Sequence, residues 1–240
     1  FGENIRYNKD NECWMVWNGE FWQFDVFNNI KNYVEILVEE LKLESKKIEE
    51  EDLRKEFFKN IKKISNSAGK EVMLKEAQHL EGMPVLNSMF DNNDFLFNCK
   101  SGVVDLKTGE ILAHDKKYMC SMYSNIEVDD GYPLLFVNFL HEIFEDNEEI
   151  IDYMQKAFGY ALTGSMKEQV MFFLVGDGSN GKSLLLQIMR EIIGDYGTTS
   201  SPDLLLDKKT QSANLSEVAR LKGKRMVIMG ETKLGDKLDE

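Results

Sequence analysis

Six consecutive apolar residues, Val170-Met171-Phe172-Phe173-Leu174-Val175, run directly into Gly176-Asp177-Gly178-Ser179-Asn180-Gly181-Lys182-Ser183. No other feature of the chain constrains its fold as much. An apolar run without alternation suits a strand covered on both faces, as in a parallel sheet. Glycines after such a strand let the backbone curl and turn its N–H groups inward. The loop satisfies G-x-x-x-x-G-K-[ST] at every fixed position. Leu185, Ile188 and Ile192 follow on one side of a helix. The N-terminus of that helix brings about half a unit of positive charge to the loop. Lys182 is expected to reach the β- and γ-phosphates of ATP, and the Ser183 hydroxyl to ligate Mg²⁺. Gly176, Asp177, Gly178, Ser179, Asn180, Gly181 and Leu184 complete the expected cradle, with the Asp177 side chain facing solvent.

A second apolar run, Met226-Val227-Ile228-Met229, follows Lys224-Arg225 and ends at Gly230-Glu231. Strand, helix and strand at this spacing predict a parallel α/β core over residues 166–240. Glu231 stands where a Walker B acid would hold Mg²⁺ or orient water. Many P-loop enzymes carry an acidic pair there, and here Gly230 occupies the first place. Lys182 and Glu231 are therefore the candidate catalytic residues, and Ser183 and Glu231 the candidate metal ligands. Whether Glu231 binds metal or acts as base is left open by the sequence.

Residues 1–165 read as a mainly helical region with small β-hairpins. Trp14–Trp17 and Glu20–Phe24 flank Asn18-Gly19, the dipeptide of a two-residue type I′ hairpin. Its three tryptophans suit a small aromatic core, with base stacking as the sharper alternative. Three amphipathic helices follow. Ile30, Val34, Leu37 and Leu41 share one face, Leu53, Phe57, Ile61 and Ile64 another, and Met73, Ala77 and Leu80 a third. The acids Glu49 to Asp52 fall at a helix N-terminus, where the dipole favours them. Strands are predicted around Phe95–Phe97, Val103–Leu106 and Glu110–Leu112, with turns at Ser101-Gly102 and Thr108-Gly109. Two helices come next, one carrying Phe136, Leu140 and Ile143, the other Ile151, Met154, Phe158 and Leu162.

The net charge of −13 is unevenly spread. Residues 167–240 hold 11 basic and 11 acidic side chains; residues 1–166 hold 18 and 31, and so carry the whole excess. Nucleic-acid contact must then come from a local patch or from other regions, because phosphate binding demands cations. The three cysteines, Cys13, Cys99 and Cys120, lie far apart, which argues for free thiols over a zinc site. No apolar run approaches the roughly 20 residues of a membrane span. The chain opens on Phe1 without a methionine and closes at Glu240 soon after a strand-like run, and reads as a piece of a longer protein.

Several blocks in order resemble one group of proteins: Gly102-Val103-Val104-Asp105-Leu106-Lys107-Thr108-Gly109-Glu110, Phe158 to Gly164, Asn180 to Ser183, Gly194-Asp195-Tyr196, and Leu215 to Glu231. They look like the superfamily 3 helicase of phage, plasmid and large-DNA-virus primase–helicases, the poxvirus-type group included. The resemblance implies an AAA+-like motor, a homo-hexamer acting on DNA during replication in the host cytoplasm, with a priming domain upstream. It also implies that the motor is cut short here, without its sensor asparagine, arginine finger and DNA-contacting loops. Two other readings are a P-loop small-molecule kinase, for which no basic lid cluster is found, and a partner-recruiting module with an inert ATPase.

Overall fold

The computed structural model describes residues 2–176, 178, 180–206 and 215–231. It is a mixed α/β structure with helices and small sheets, in two compact units. The first takes Phe1–Phe90 together with Asp115–Ser121; the second takes Asp91–His114 together with Met122–Glu240. Among the described residues no helix is long and apolar enough to cross a membrane.

In the first unit β1 (Ile5–Asn8), β2 (Cys13–Trp17), β3 (Trp22–Phe24) and β4 (Pro84–Val85) form a sheet in the order β3-β2-β1-β4. Only β1 and β4 run parallel. Pro84 is tolerated because β4 is an edge strand, where a missing N–H breaks no ladder. Trp17 pairs with Trp22, so the β2–β3 connection is four residues long and not the expected two-residue turn. A type I′ turn needs positive φ at both central residues, and only Gly19, at φ 107°, has it. Asn18 instead accepts hydrogen bonds from the Glu20 and Phe21 N–H groups through its side chain, both at 2.8 Å. Trp22 is 1% exposed and packs with Met15, Val85 and Phe90, its indole N–H donating to the Lys116 carbonyl at 3.2 Å. Tyr7 and Trp14 meet edge-on at 5.3 Å. The aromatic hairpin is thus a core.

Helices α1 (Ile30–Ser45), α2 (Glu51–Ser65) and α3 (Ser67–Ala77) complete this unit. Asp25 starts α1 by accepting the Asn29 and Ile30 N–H groups, each at 2.7 Å. Val34 and Val38 of α1 bury themselves against Ile61 of α2, with Leu41, Phe57, Ile64 and Met73 around them. Leu53, expected on the inward face of α2, is exposed, and Leu80 lies beyond the end of α3 and is exposed too. Glu51 and Asp52 occupy the first turn of α2, as the dipole favours.

In the second unit β5 (Leu96–Cys99), β6 (Gly102–Asp105) and β7 (Ile111–Leu112) form the antiparallel meander that the turn signals predict. Helices α4 (Leu134–Ile143), α5 (Glu148–Leu162), α6 (Lys182–Ile193) and α7 (Leu215–Leu221) follow, with β8 (Gly197–Ser200) paired parallel to β9 (Met226–Met229). One expectation fails. Residues 170–175 form no strand, and Val170, Met171, Phe172, Phe173 and Val175 are exposed. A continuous apolar run is stable as a strand only with sheet neighbours at its edges and layers on its faces. None of the strands among the described residues pairs with it. Phe172 meets Tyr153 of α5 edge-on at 6.3 Å, which covers one side only.

Candidate functional site

Helix α6 begins at Lys182, and its N-cap, Gly181, sits in the left-handed region at φ 80°, ψ −8°, without a side-chain cap. The first helical bond is Leu185 N–H to the Gly181 carbonyl at 2.9 Å. The N–H groups of Lys182, Ser183 and Leu184 therefore belong to the helix start, where no intrahelical acceptor exists. Ser183 and Leu184 are exposed there. The Lys182 ammonium folds back over the loop, donating to the Gly176 carbonyl and to Asn180 Oδ1, each at 2.7 Å. A Cβ on Gly176 would run into Asn180 Nδ2 and stand 3.3 Å from Lys182 Nζ. A side chain at this position would push the Asn180 amide, and with it the Lys182 ammonium, out of their places in the loop.

These residues fit a phosphate. An anion at this point would meet one ammonium and a row of amide N–H groups, with the helix dipole behind them. Gly178 is exposed; Asp177 and Ser179 lie outside the described residues. Glu231 is exposed, two residues past the end of β9, and β9 packs beside α6. Among the described residues no three His, Cys, Asp or Glu side chains gather as a metal cage. Cys99 and Cys120 are buried and in no disulfide, and Cys13 is partly buried, with its pKa raised by burial.

The frame beneath the loop is built from α6 and the residues that follow it. The buried stripe of α6 is Leu185, Met189 and Ile193, one position on from Ile188 and Ile192, which are half-buried. Gly194 ends the helix at φ 56°, ψ −131°, and a Cβ there would stand 2.7 Å from both Ser124 Cα and the Tyr123 carbonyl oxygen. Asp195 exchanges two bonds with Tyr123, its N–H donating to the carbonyl at 3.0 Å and its carboxylate accepting the N–H at 3.2 Å. The fully buried Tyr196 hydroxyl accepts from the Asn98 N–H at 3.0 Å and donates to the Met122 carbonyl at 3.3 Å. Ser124 Oγ donates to the Ile192 carbonyl at 2.6 Å. The Gly194-Asp195-Tyr196 block is thus the joint fixing the end of α6 to the β5 layer. Ser124 and Asn98 carry no pattern that would have revealed them, because their partners are far away in sequence.

Residues 1–145 match the family described as D5 N terminal like, which is more than half of the chain. The chain belongs to this family. It is 27% identical over 186 residues to "Putative helicase L207/L206" of Acanthamoeba polyphaga mimivirus, across 75% of this chain and 19% of that protein. It is 24% identical over 196 residues to "Putative primase C962R" of African swine fever virus (strain Badajoz 1971 Vero-adapted), across 78% of this chain and 20% of that one. With "Putative helicase 121R" of Invertebrate iridescent virus 3 it shares 25% identity over 170 residues, across 68% and 18%. The chain spans about a fifth of the length of these relatives.

Proposed function

We propose that this chain is the part of a viral DNA-replication primase–helicase that binds ATP-Mg²⁺ at Gly176 to Ser183. The observation that carries the reading is the Lys182 ammonium, held across the loop by Gly176 and Asn180 at the open start of α6. When ATP arrives, its phosphate oxygens would take the place of those two acceptors. The Gly178, Asn180, Gly181 and Leu184 backbone would line the phosphates, and Ser183 would offer its hydroxyl to Mg²⁺. Glu231 would supply the carboxylate, through metal-bound water or directly to the attacking water. Positioning and charge neutralisation provide most of the catalysis in such sites.

The names of the relatives and the family membership support the setting. In the whole protein this site would serve a superfamily 3 motor, a homo-hexamer that couples hydrolysis to DNA unwinding in the host cytoplasm, with priming carried out upstream. The overall −13 charge favours DNA contact through other regions. The test is calorimetry of ATP with Mg²⁺, wild type against Lys182→Ala. The variant is expected to bind at least tenfold more weakly, a loss of about 1.4 kcal/mol. A wild type that binds no ATP, or a variant that binds equally well, refutes the assignment of the loop.

A further inference from the structure

Gly181 is pressed from behind by a helix of the family-matched region. A Cβ placed on it would stand 2.5 Å from Ile143 Cγ2 and 3.2 Å from Phe139 Cε2. Both side chains belong to α4, four residues apart and so on one face. Contacts under 3 Å to a methyl on a β-branched carbon cannot be relieved by rotating a flexible chain end, because that methyl is fixed close to the backbone. Gly181 is therefore required twice, once for its φ of 80° and once because Ile143 already fills the space a side chain would take.

The end of α4 is itself held in place. Beyond Phe144 the chain turns through Glu145 and Asp146, both left-handed at φ 52° and 58°. Two such non-glycine residues in a row persist only where their surroundings hold them. Here Asp146 N–H donates to the His141 carbonyl at 2.9 Å, and its carboxylate lies 3.1 Å from His141 Nδ1. Asn147 then caps α5 by accepting the Ile150 N–H. Ile143 is thus set by a locked turn and not by a swinging helix end.

We propose that Ile143, through its Cγ2 methyl and backed by Phe139, is a positioning residue for the phosphate loop. It holds the Gly181 backbone so that the N–H groups at the start of α6 face the anion. The D5 N-terminal-like region would then take part in nucleotide binding directly, because α4 lies within residues 1–145 while the loop lies outside them. This inference rests on the reading of Gly176 to Ser183 as a nucleotide site.

The atom involved allows a specific test. Ile143→Leu keeps the volume but removes the methyl on Cβ; Ile143→Val is smaller but keeps it. ATP-Mg²⁺ affinity is measured for the wild type, both variants and Leu140→Ala, a buried residue of the same helix that is not among the nearest neighbours of Gly181. Ile143→Leu is expected to weaken binding about fivefold or more, within the range that altered packing beside a site produces. Ile143→Val and Leu140→Ala should stay within about twofold of the wild type, below the roughly fivefold lower end of typical site-to-site coupling. Equal binding by wild type and Ile143→Leu overturns the proposal and leaves the ATP site standing. So does a loss in Leu140→Ala as large as in Ile143→Leu, which would mean general loosening of α4. A wild type that binds no ATP overturns both the proposal and the reading beneath it.

Discussion

Replacing Arg225 with methionine keeps most of the aliphatic stem and removes the guanidinium. That group donates from Nη1 to the Leu162 carbonyl and from Nη2 to the Leu96 carbonyl, both at 2.7 Å. It also lies over the Tyr196 ring, 4.3 Å from the centroid. One side chain therefore joins the end of α5, the start of β5 and Tyr196, three residues past the end of α6. Hydrogen bonds to a charged group contribute about 1.5–3 kcal/mol each. Arg225 is only half-buried, so the lower end applies and the pair is worth ~3 kcal/mol. The contact with the buried ring adds about 1 kcal/mol. The variant is expected to lose ~3–4 kcal/mol in the second unit, moving its urea midpoint down by roughly 1.5–2 M for a slope near 2 kcal/mol/M. Far-UV circular dichroism follows the helices of both units. Tryptophan fluorescence follows the first alone, because Trp14, Trp17 and Trp22 all lie there. Arg225→Lys should recover less than half of the loss, since an ammonium cannot reproduce a planar two-pronged donor. A loss below about 1 kcal/mol, no more than one ordinary hydrogen bond, or full recovery by lysine, would refute this account of Arg225.

Two further outcomes can be checked on the same protein. Gly194→Ala places a Cβ 2.7 Å from Ser124 Cα in a backbone conformation of φ 56°, ψ −131°; a loss of ~3 kcal/mol or more is expected in thermal unfolding, and a near-native midpoint would show that the joint after α6 yields easily. Glu35 accepts a hydrogen bond from Lys70 at 2.6 Å, and that bond, followed by the lysine charge, lowers its pKa below the usual 4.5. A lowered folded pKa means that the stabilisation is complete above the ordinary carboxylate range and is lost as pH falls through the folded value. Thermal midpoints between pH 7 and 3 should therefore drop less steeply for Glu35→Gln than for wild type, and identical slopes would dismiss the α1–α3 tie.

What the sequence disclosed depended on how local the determinants were. The meander β5–β7 was legible because its strands are separated by short turns whose glycines mark them. The helix faces of α1 and α2 were legible from spacing, with the burial stripe of α1 continuing through Val38. The parallel pairing of β1 with β4 was not, since Tyr7 meets Pro84 across most of the first unit. Strand β8 escaped notice because Gly197-Thr198-Thr199-Ser200 has no apolar pattern. The run 170–175 has the composition of a buried strand but lacks paired neighbours among the described residues, and composition cannot supply them. At the candidate site, the motif pointed to Lys182 and to Gly176. It could not point to Ile143 or Arg225, whose roles depend on which carbonyls and which glycine face they meet.

The return of Asp115–Ser121 to the first unit has a consequence for the order in which the chain can mature. Trp22 is closed on one side by this segment, its backbone N–H donating to Cys120 O at 2.8 Å and its indole to Lys116 O. Lys116 also binds Glu3 and Asn4, just before β1. A nascent chain leaving the ribosome would therefore present the β1–β4 sheet unfinished until β5, β6 and β7 had all been made. A protease cut between residues 90 and 115 would likewise sever the β1–β4 sheet from the segment that closes Trp22, because that segment is encoded after the meander and not before it.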